Sequence, residues 1–174
     1  FIQYGTNLFF PAMATAAHVS PAPNHQTGMV LPLKFRLDVA MSGRLGFELN
    51  PASLNGRDFD FIRKALDDYR EIRPVVHLGD LYRLASPYGE SGWSSNLYVL
   101  KDRTRAVLFA YSLRYHARTT YFETKLAGLD PAKMYRIREL NTGGKSRFWG
   151  DRQLFSGDYL MKVGIPLDID GAYE

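Results

Sequence analysis

At 174 residues and 45% hydrophobic, the chain can bury one ordinary core, or one small domain and a piece of another. It has no cysteine, which excludes a disulfide framework, a thiolate nucleophile and a thiolate metal site. The net charge of +4 comes from scattered Lys and Arg, so no nucleic-acid partner is expected; no apolar run approaches the ~20 residues that span a bilayer, so no membrane partner is expected either.

In chain order, residues 1–10 read as the tail of a helix turning at Tyr4-Gly5-Thr6, closed by Pro11. Residues 12–19 are small and apolar and are punctuated at both ends, which predicts a buried parallel strand. Residues 17–28 form a polar loop stiffened by Pro21 and Pro23, holding His18, Ser20, Asn24 and His25. Residues 29–41 carry apolar side chains at steps of three and four (Val30, Leu33, Leu37, Met41), predicting a helix with Pro32 in its first turn and Gly43 at its end. A short strand over 45–49 is stopped by Asn50-Pro51. Asn55 then caps a helix whose stripe is Phe59, Ile62, Leu66 and Tyr69, and Pro74 is expected to stop it. Alternating strands and helices of this kind predict parallel strands with crossover helices.

From Val75 the texture changes. Residues 97–100 and 106–111, joined by Lys101-Asp102-Arg103-Thr104, read as a hairpin. Residues 121–126 and 134–140 flank the turn signal Gly128-Leu129-Asp130-Pro131. Phe155, residues 159–163 and residues 165–169 supply further strands, so an antiparallel sandwich or barrel of six to eight strands is expected after a boundary near Pro74. The expected fold is thus α/β plus all-β, over residues 1–74 and 75–174. The chain opens on Phe1 inside a helix end and closes at Glu174 after a strand-like run, so it reads as part of something longer. With no signal-peptide pattern, a cytoplasmic location is expected, with periplasm and secretion left open.

The residues by themselves do not give a reaction. His18 and His25 lie seven apart with no nearby Cys, Asp or Glu, too few ligands for a metal site. Imidazole suits acid–base work, but no nucleophile stands beside either ring; the plainer reading is that His18, Asn24 and His25 bond the loop to its own backbone. Asp38, inside a helical stretch, is expected to face solvent or Arg36. Glu48, near the end of a parallel strand where barrel active sites lie, is expected in a buried salt bridge. Residues 140–146 look like a phosphate loop but lack its first glycine and a following helix, so they read as a plain loop. Trp93 and Trp149 each read as a loop tryptophan, a packing residue before a sugar platform.

Three blocks carry a resemblance: His18-Val19-Ser20-Pro21-Ala22-Pro23-Asn24-His25-Gln26-Thr27-Gly28, Pro32-Leu33-Lys34-Phe35-Arg36, and Val39-Ala40-Met41-Ser42-Gly43-Arg44-Leu45-Gly46-Phe47-Glu48-Leu49. They closely resemble family 36 α-galactosidases (melibiases). Ile2-Gln3-Tyr4-Gly5-Thr6, Gly79-Asp80-Leu81-Tyr82-Arg83-Leu84 and Gly128-Leu129-Asp130-Pro131-Ala132-Lys133-Met134-Tyr135 add looser agreement in the same order. The resemblance implies that residues 1–74 are the last two βα units of a (β/α)8 TIM barrel, with strands seven and eight at 14–20 and 45–49, and that residues 75–174 are a C-terminal antiparallel β-sandwich. It implies a retaining enzyme with two aspartates, a nucleophile and an acid/base. Neither aspartate motif matches this chain, so no catalytic residue is assigned and the chain alone is expected to be inert. His18, Ser20, Asn24, His25 and Glu48 are expected at the rim of the substrate pocket. The resemblance implies a galactose-containing oligosaccharide as partner, no cofactor or metal, and a homo-oligomer at full length. The alternatives are a carbohydrate- or subunit-binding β domain, or a galactosyltransferase similar to raffinose synthase. Two βα units by themselves leave a strand edge and an apolar helix face open.

Overall fold

A computed structural model describes residues 1–114, 121–142 and 146–168. The first part runs α1 (Ile2–Thr6), a 3-10 turn (Ala12–Ala14), β1 (Ala16–Val19), α2 (Leu33–Met41), β2 (Arg44–Phe47), a second 3-10 turn (Pro51–Ser53) and α3 (Gly56–Leu78). Strands β1 and β2 pair in parallel, His18 opposite Gly46, with α2 as the crossover. The predicted strand over 12–19 is shorter than expected. The Thr15 hydroxyl donates to the Pro11 carbonyl and to Asn7 Oδ1, and Ala14 N–H donates to Pro11, which closes a turn before the strand begins.

Helix α2 starts at Leu33 rather than Met29. Pro32 disfavours helical geometry at Leu31 and is itself extended (ψ 143°), so it stands as the N-cap. Helix α3 starts as predicted, with Asn55 Oδ1 accepting from Asp58 N–H at 2.9 Å. It does not stop at Pro74. Its buried stripe is Ile62, Ala65, Tyr69, Ile72, Val75 and Val76, which continues past the proline; Phe59 is exposed instead. Pro74 and Arg70 both lie on the wet side, so the Arg70 carbonyl that loses its helical donor faces water.

The remaining elements are β3 (Asp80–Ala85), β4 (Trp93–Val99), β5 (Ala106–Ser112), β6 (Tyr121–Thr124), β7 (Met134–Arg136), β8 (Leu154–Ser156), α4 (Gly157–Lys162) and β9 (Ile165–Asp168). Their pairings are antiparallel: a sheet β3-β4-β5 and two pairs, β6-β9 and β7-β8. Residues 159–163, expected as a strand, fall mainly in α4. Ser156 Oγ accepts from Tyr159 N–H, Asp158 and Lys162 fit the two ends of the helix dipole, and they bond to each other at 2.8 Å. Trp93 opens β4 and is buried, and Trp149 is 57% exposed in a loop. Gly143 to Lys145, in the loop that resembles a phosphate loop, and Ile169 lie outside the described residues.

Strand β4 is buried along its whole length because its sheet is covered on both faces. Leu97 and Val99 face a core shared with Leu129, Leu160 and Ile165, with Tyr135 and Phe155 of the small pair against it. Tyr98, with Phe109 and Tyr111 of β5, faces Phe35 and Met41 of α2 and Tyr69, Ile72, Val75 and Val76 of α3. The helix faces that two βα units would leave open are therefore covered by the sheet. One core crosses the sequence boundary near residue 74.

That shared face is stitched by tyrosine hydroxyls. Tyr111 donates to the Asp38 carbonyl (3.1 Å), Tyr98 to that of Ser42 (3.0 Å), and Tyr69 to that of Gly43 (2.8 Å) while accepting from Leu45 N–H. Burial pushes the Tyr98 hydroxyl up to about 12 and Tyr111 well above the ordinary tyrosine value, so both remain neutral donors. Asp38 does not meet Arg36. Its largely buried carboxylate takes Lys34 Nζ and Asn141 Nδ2, each at 2.5 Å, and burial raises its pKa. Removing the Tyr98 hydroxyl leaves the Ser42 carbonyl and the Asn7 amide short of a partner in a dry site. Tyr98→Phe is expected to lower unfolding stability by about 1–3 kcal/mol. Tyr159→Phe, at an exposed tyrosine, is the control, expected within about 0.5 kcal/mol of the parent. Urea unfolding of both variants checks this; equal stabilities would contradict it.

Candidate functional site: the carboxyl ends of the parallel strands

Alternation along β1 sorts its side chains. Ala17 and Val19 are buried against Leu37 and Ala40 of α2 and Ile62 and Ala65 of α3. His18 therefore projects from the face opposite the helices, and so do Gly46 and Glu48. Glu48 N–H extends the ladder to the Val19 carbonyl at 3.1 Å, which brings its side chain to the strand end beside His18. His18 Nδ1 and Glu48 Oε1 are 3.0 Å apart, with side chains 44% and 52% exposed. A contact this wet contributes at most ~1 kcal/mol, so it orients the ring and does little to hold the fold. The second constraint on the ring is Gly46: a Cβ there would lie 2.4 Å from His18 Cδ2, so the imidazole rests against bare backbone.

The other expected residues do different work. Asn24 Oδ1 accepts from Gln26 N–H and Thr27 N–H, both at 3.0 Å, and from the Thr27 hydroxyl. Asn24 backbone bonds to Gly28 and Met29 close the turn, with Gly28 at φ +70°. The backbone-bonding reading thus fits Asn24 and not His18. Ser20 is half-buried; its carbonyl accepts from Arg36 Nη1 at 2.5 Å, while Arg36 Nε donates to the Leu31 carbonyl. The Arg36 pKa is lowered, chiefly by burial, with Asp58 opposing. His25 is exposed in the turn. Glu48, expected in a buried salt bridge, is in an exposed one, because nothing in the described chain covers that face of the strands.

The sequence reading missed Arg36 as the anchor of the loop and Gly46 as the seat of the ring. A glycine inside a strand signals close approach and could have pointed to Gly46; the spacing of Arg36 gave no such signal. A cavity of about 660 Å³ lies away from this pair, between β5, the α2–α3 side and residues 134–142. Among the described residues no group of three or more His, Cys, Asp or Glu is arranged to hold a metal. No described helix is long and apolar enough to cross a membrane.

Comparison with known proteins finds matches over nearly the whole chain. The melibiase family model matches residues 1–79, and the model of the glycosyl hydrolase family 36 C-terminal domain matches residues 93–174. The chain belongs to glycosyl hydrolase family 36. Probable alpha-galactosidase G of Emericella nidulans is 37% identical to this family 36 chain over 174 residues, covering 99% of it and 22% of the relative. Alpha-galactosidase 1 of Pediococcus pentosaceus is 36% identical, over 94% of the chain and 21% of the relative. The crystal structure of alpha-galactosidase AgaA from Geobacillus stearothermophilus superposes with a TM-score of 0.86 at 34% identity, over 98% of the chain and 22% of that structure. AgaA variants have been crystallised with raffinose and with stachyose. The family 36 chain spans about a fifth of the length of the relatives it matches.

The seat at Gly46 gives a direct test. Gly46→Ala places a methyl inside the His18 ring, so the ring swings out and leaves Glu48. The expected result is a shift of the His18 imidazole NMR signals in the variant, with those of His25 and His77 unmoved. Unchanged His18 signals would refute the close contact.

Proposed function

We propose that this chain is the C-terminal portion of a retaining α-galactosidase that releases terminal α-linked galactose from raffinose- and melibiose-type oligosaccharides. The observation that carries the reading is agreement over nearly the whole chain, in sequence and in fold, with enzymes named as α-galactosidases. The parallel β1-α2-β2 unit, with α3 following, supports assigning residues 1–74 to the last two units of a (β/α)8 barrel. Helix α3 carries that unit on to Leu78. The antiparallel pairs around β3-β4-β5 support a C-terminal β-sandwich for residues 75–174.

In that frame the loop over 17–28 forms part of the pocket rim, because barrel sites lie where strands end. Retaining hydrolysis needs two carboxyl groups about 5–5.5 Å apart across the glycosidic bond. Among the described residues Glu48 is the one carboxylate at the ends of β1 and β2, and it is engaged with His18. The reaction's two aspartates therefore belong to other parts of the whole enzyme.

The whole protein is expected to hydrolyse p-nitrophenyl α-galactoside and to free galactose from raffinose with its anomeric configuration retained. The 174-residue chain alone is expected to give no turnover. Galactose passing to a sugar acceptor with none reaching water would favour a transferase. Turnover by the chain alone would overturn the assignment of the carboxylates.

A further inference from the structure

We infer that His18 is a substrate-binding residue of the galactosidase pocket, its imidazole Nε2 meeting a hydroxyl of the bound sugar, and that Glu48 is the positioning residue behind it. This rests on the α-galactosidase reading above. Four observations converge on it. His18 and Glu48 project from the face of β1 and β2 opposite the helices, which in a closed barrel is the interior, at the carboxyl ends where ligands bind. The ring is fixed from two sides, by Glu48 at 3.0 Å and by the bare backbone at Gly46. Ser20, just past the strand end, is tied down by Arg36, so the backbone that carries His18 is anchored beyond the ring. Among the described residues, Nε2 has no hydrogen-bond partner of its own.

The chemistry follows from the tautomer. With Nδ1–H donating to Glu48, the neutral ring presents Nε2 as an acceptor, which suits a sugar O–H donor. Asn24 and His25 are excluded from this role: Asn24 spends its side-chain oxygen on its own turn, and no hydrogen bond links either residue to the His18–Glu48 pair. Glu48 acts through the ring.

The test is steady-state kinetics of the full-length enzyme with p-nitrophenyl α-galactoside, alongside thermal melts. In His18→Gln the side-chain amide reaches the place of Nε2; in His18→Asn it reaches that of Nδ1 and can still bond Glu48. The expected result is a KM raised roughly five- to tenfold in His18→Asn, with kcat within about twofold. His18→Gln is expected to keep KM within about twofold of the parent, and Glu48→Gln to raise it by about two- to threefold. Melting temperatures are expected to match the parent. The reverse order, with Asn preserving KM and Gln losing it, would assign the ring to bracing Glu48 and overturn the inference. Unchanged KM in both His18 variants, or losses that track a lowered melting temperature, would also overturn it. A parent enzyme without turnover would instead refute the α-galactosidase reading beneath it.

Discussion

The structure depends on how the last turn of α2 is finished. A helix ends with carbonyls that have no partner of their own, and these must be satisfied where water is excluded. In α2 the Val39 carbonyl takes the Ser42 hydroxyl and the Ala40 carbonyl takes Gly43 N–H. The Asp38 carbonyl and the next two beyond the helix, at Ser42 and Gly43, take hydroxyls of Tyr111, Tyr98 and Tyr69. Those three tyrosines come from two strands of the antiparallel sheet and from α3. The C-terminal sheet is thus a partner of the parallel unit's own backbone. Each bond adds only ~1 kcal/mol when made, but a missing one leaves a buried carbonyl unsolvated at a cost of about 1–3 kcal/mol. That asymmetry makes the arrangement specific.

The consequence reaches the strand ends. Gly43 and Leu45 flank Arg44, the first residue of β2, and both are held by the Tyr69 hydroxyl. Fixing the start of β2 fixes its register on β1, and the register sets His18 over Gly46 with Glu48 beside it. A one-residue slip would turn His18 toward the helices and Ala17 outward. The chemistry-bearing face therefore owes its geometry to residues that never approach it.

Much of this was legible in the sequence, for physical reasons. Local rules placed the Asn55 cap, the hairpin after Val99 and the alternation of strands and helices, because each is written in a few neighbouring residues. The misses came where a longer-range fact decided. Pro74 reads as a stop until the buried stripe beyond it is seen to pack on the sheet. Residues 159–163 read as a strand from their apolar side chains, while the Ser156 cap and the Asp158–Lys162 pair make a helix turn. Asp38 reads as facing solvent or its sequence neighbour Arg36; it is largely buried instead, and its partners include Asn141, 103 residues away. At the site, the loop showed its hydrogen-bonding side chains in the sequence, but only the fold separates His18 and Glu48, on one face, from Asn24, folded back on its own turn.

The parallel unit and the antiparallel sheet share one core and are expected to unfold as one. Native-state hydrogen exchange across a denaturant series measures this most directly. The amides of β1 and β2 and those of β4 are expected to converge on the same opening free energy as denaturant rises. A separate, lower-energy opening that exposes β1 and β2 while β4 stays protected would contradict it.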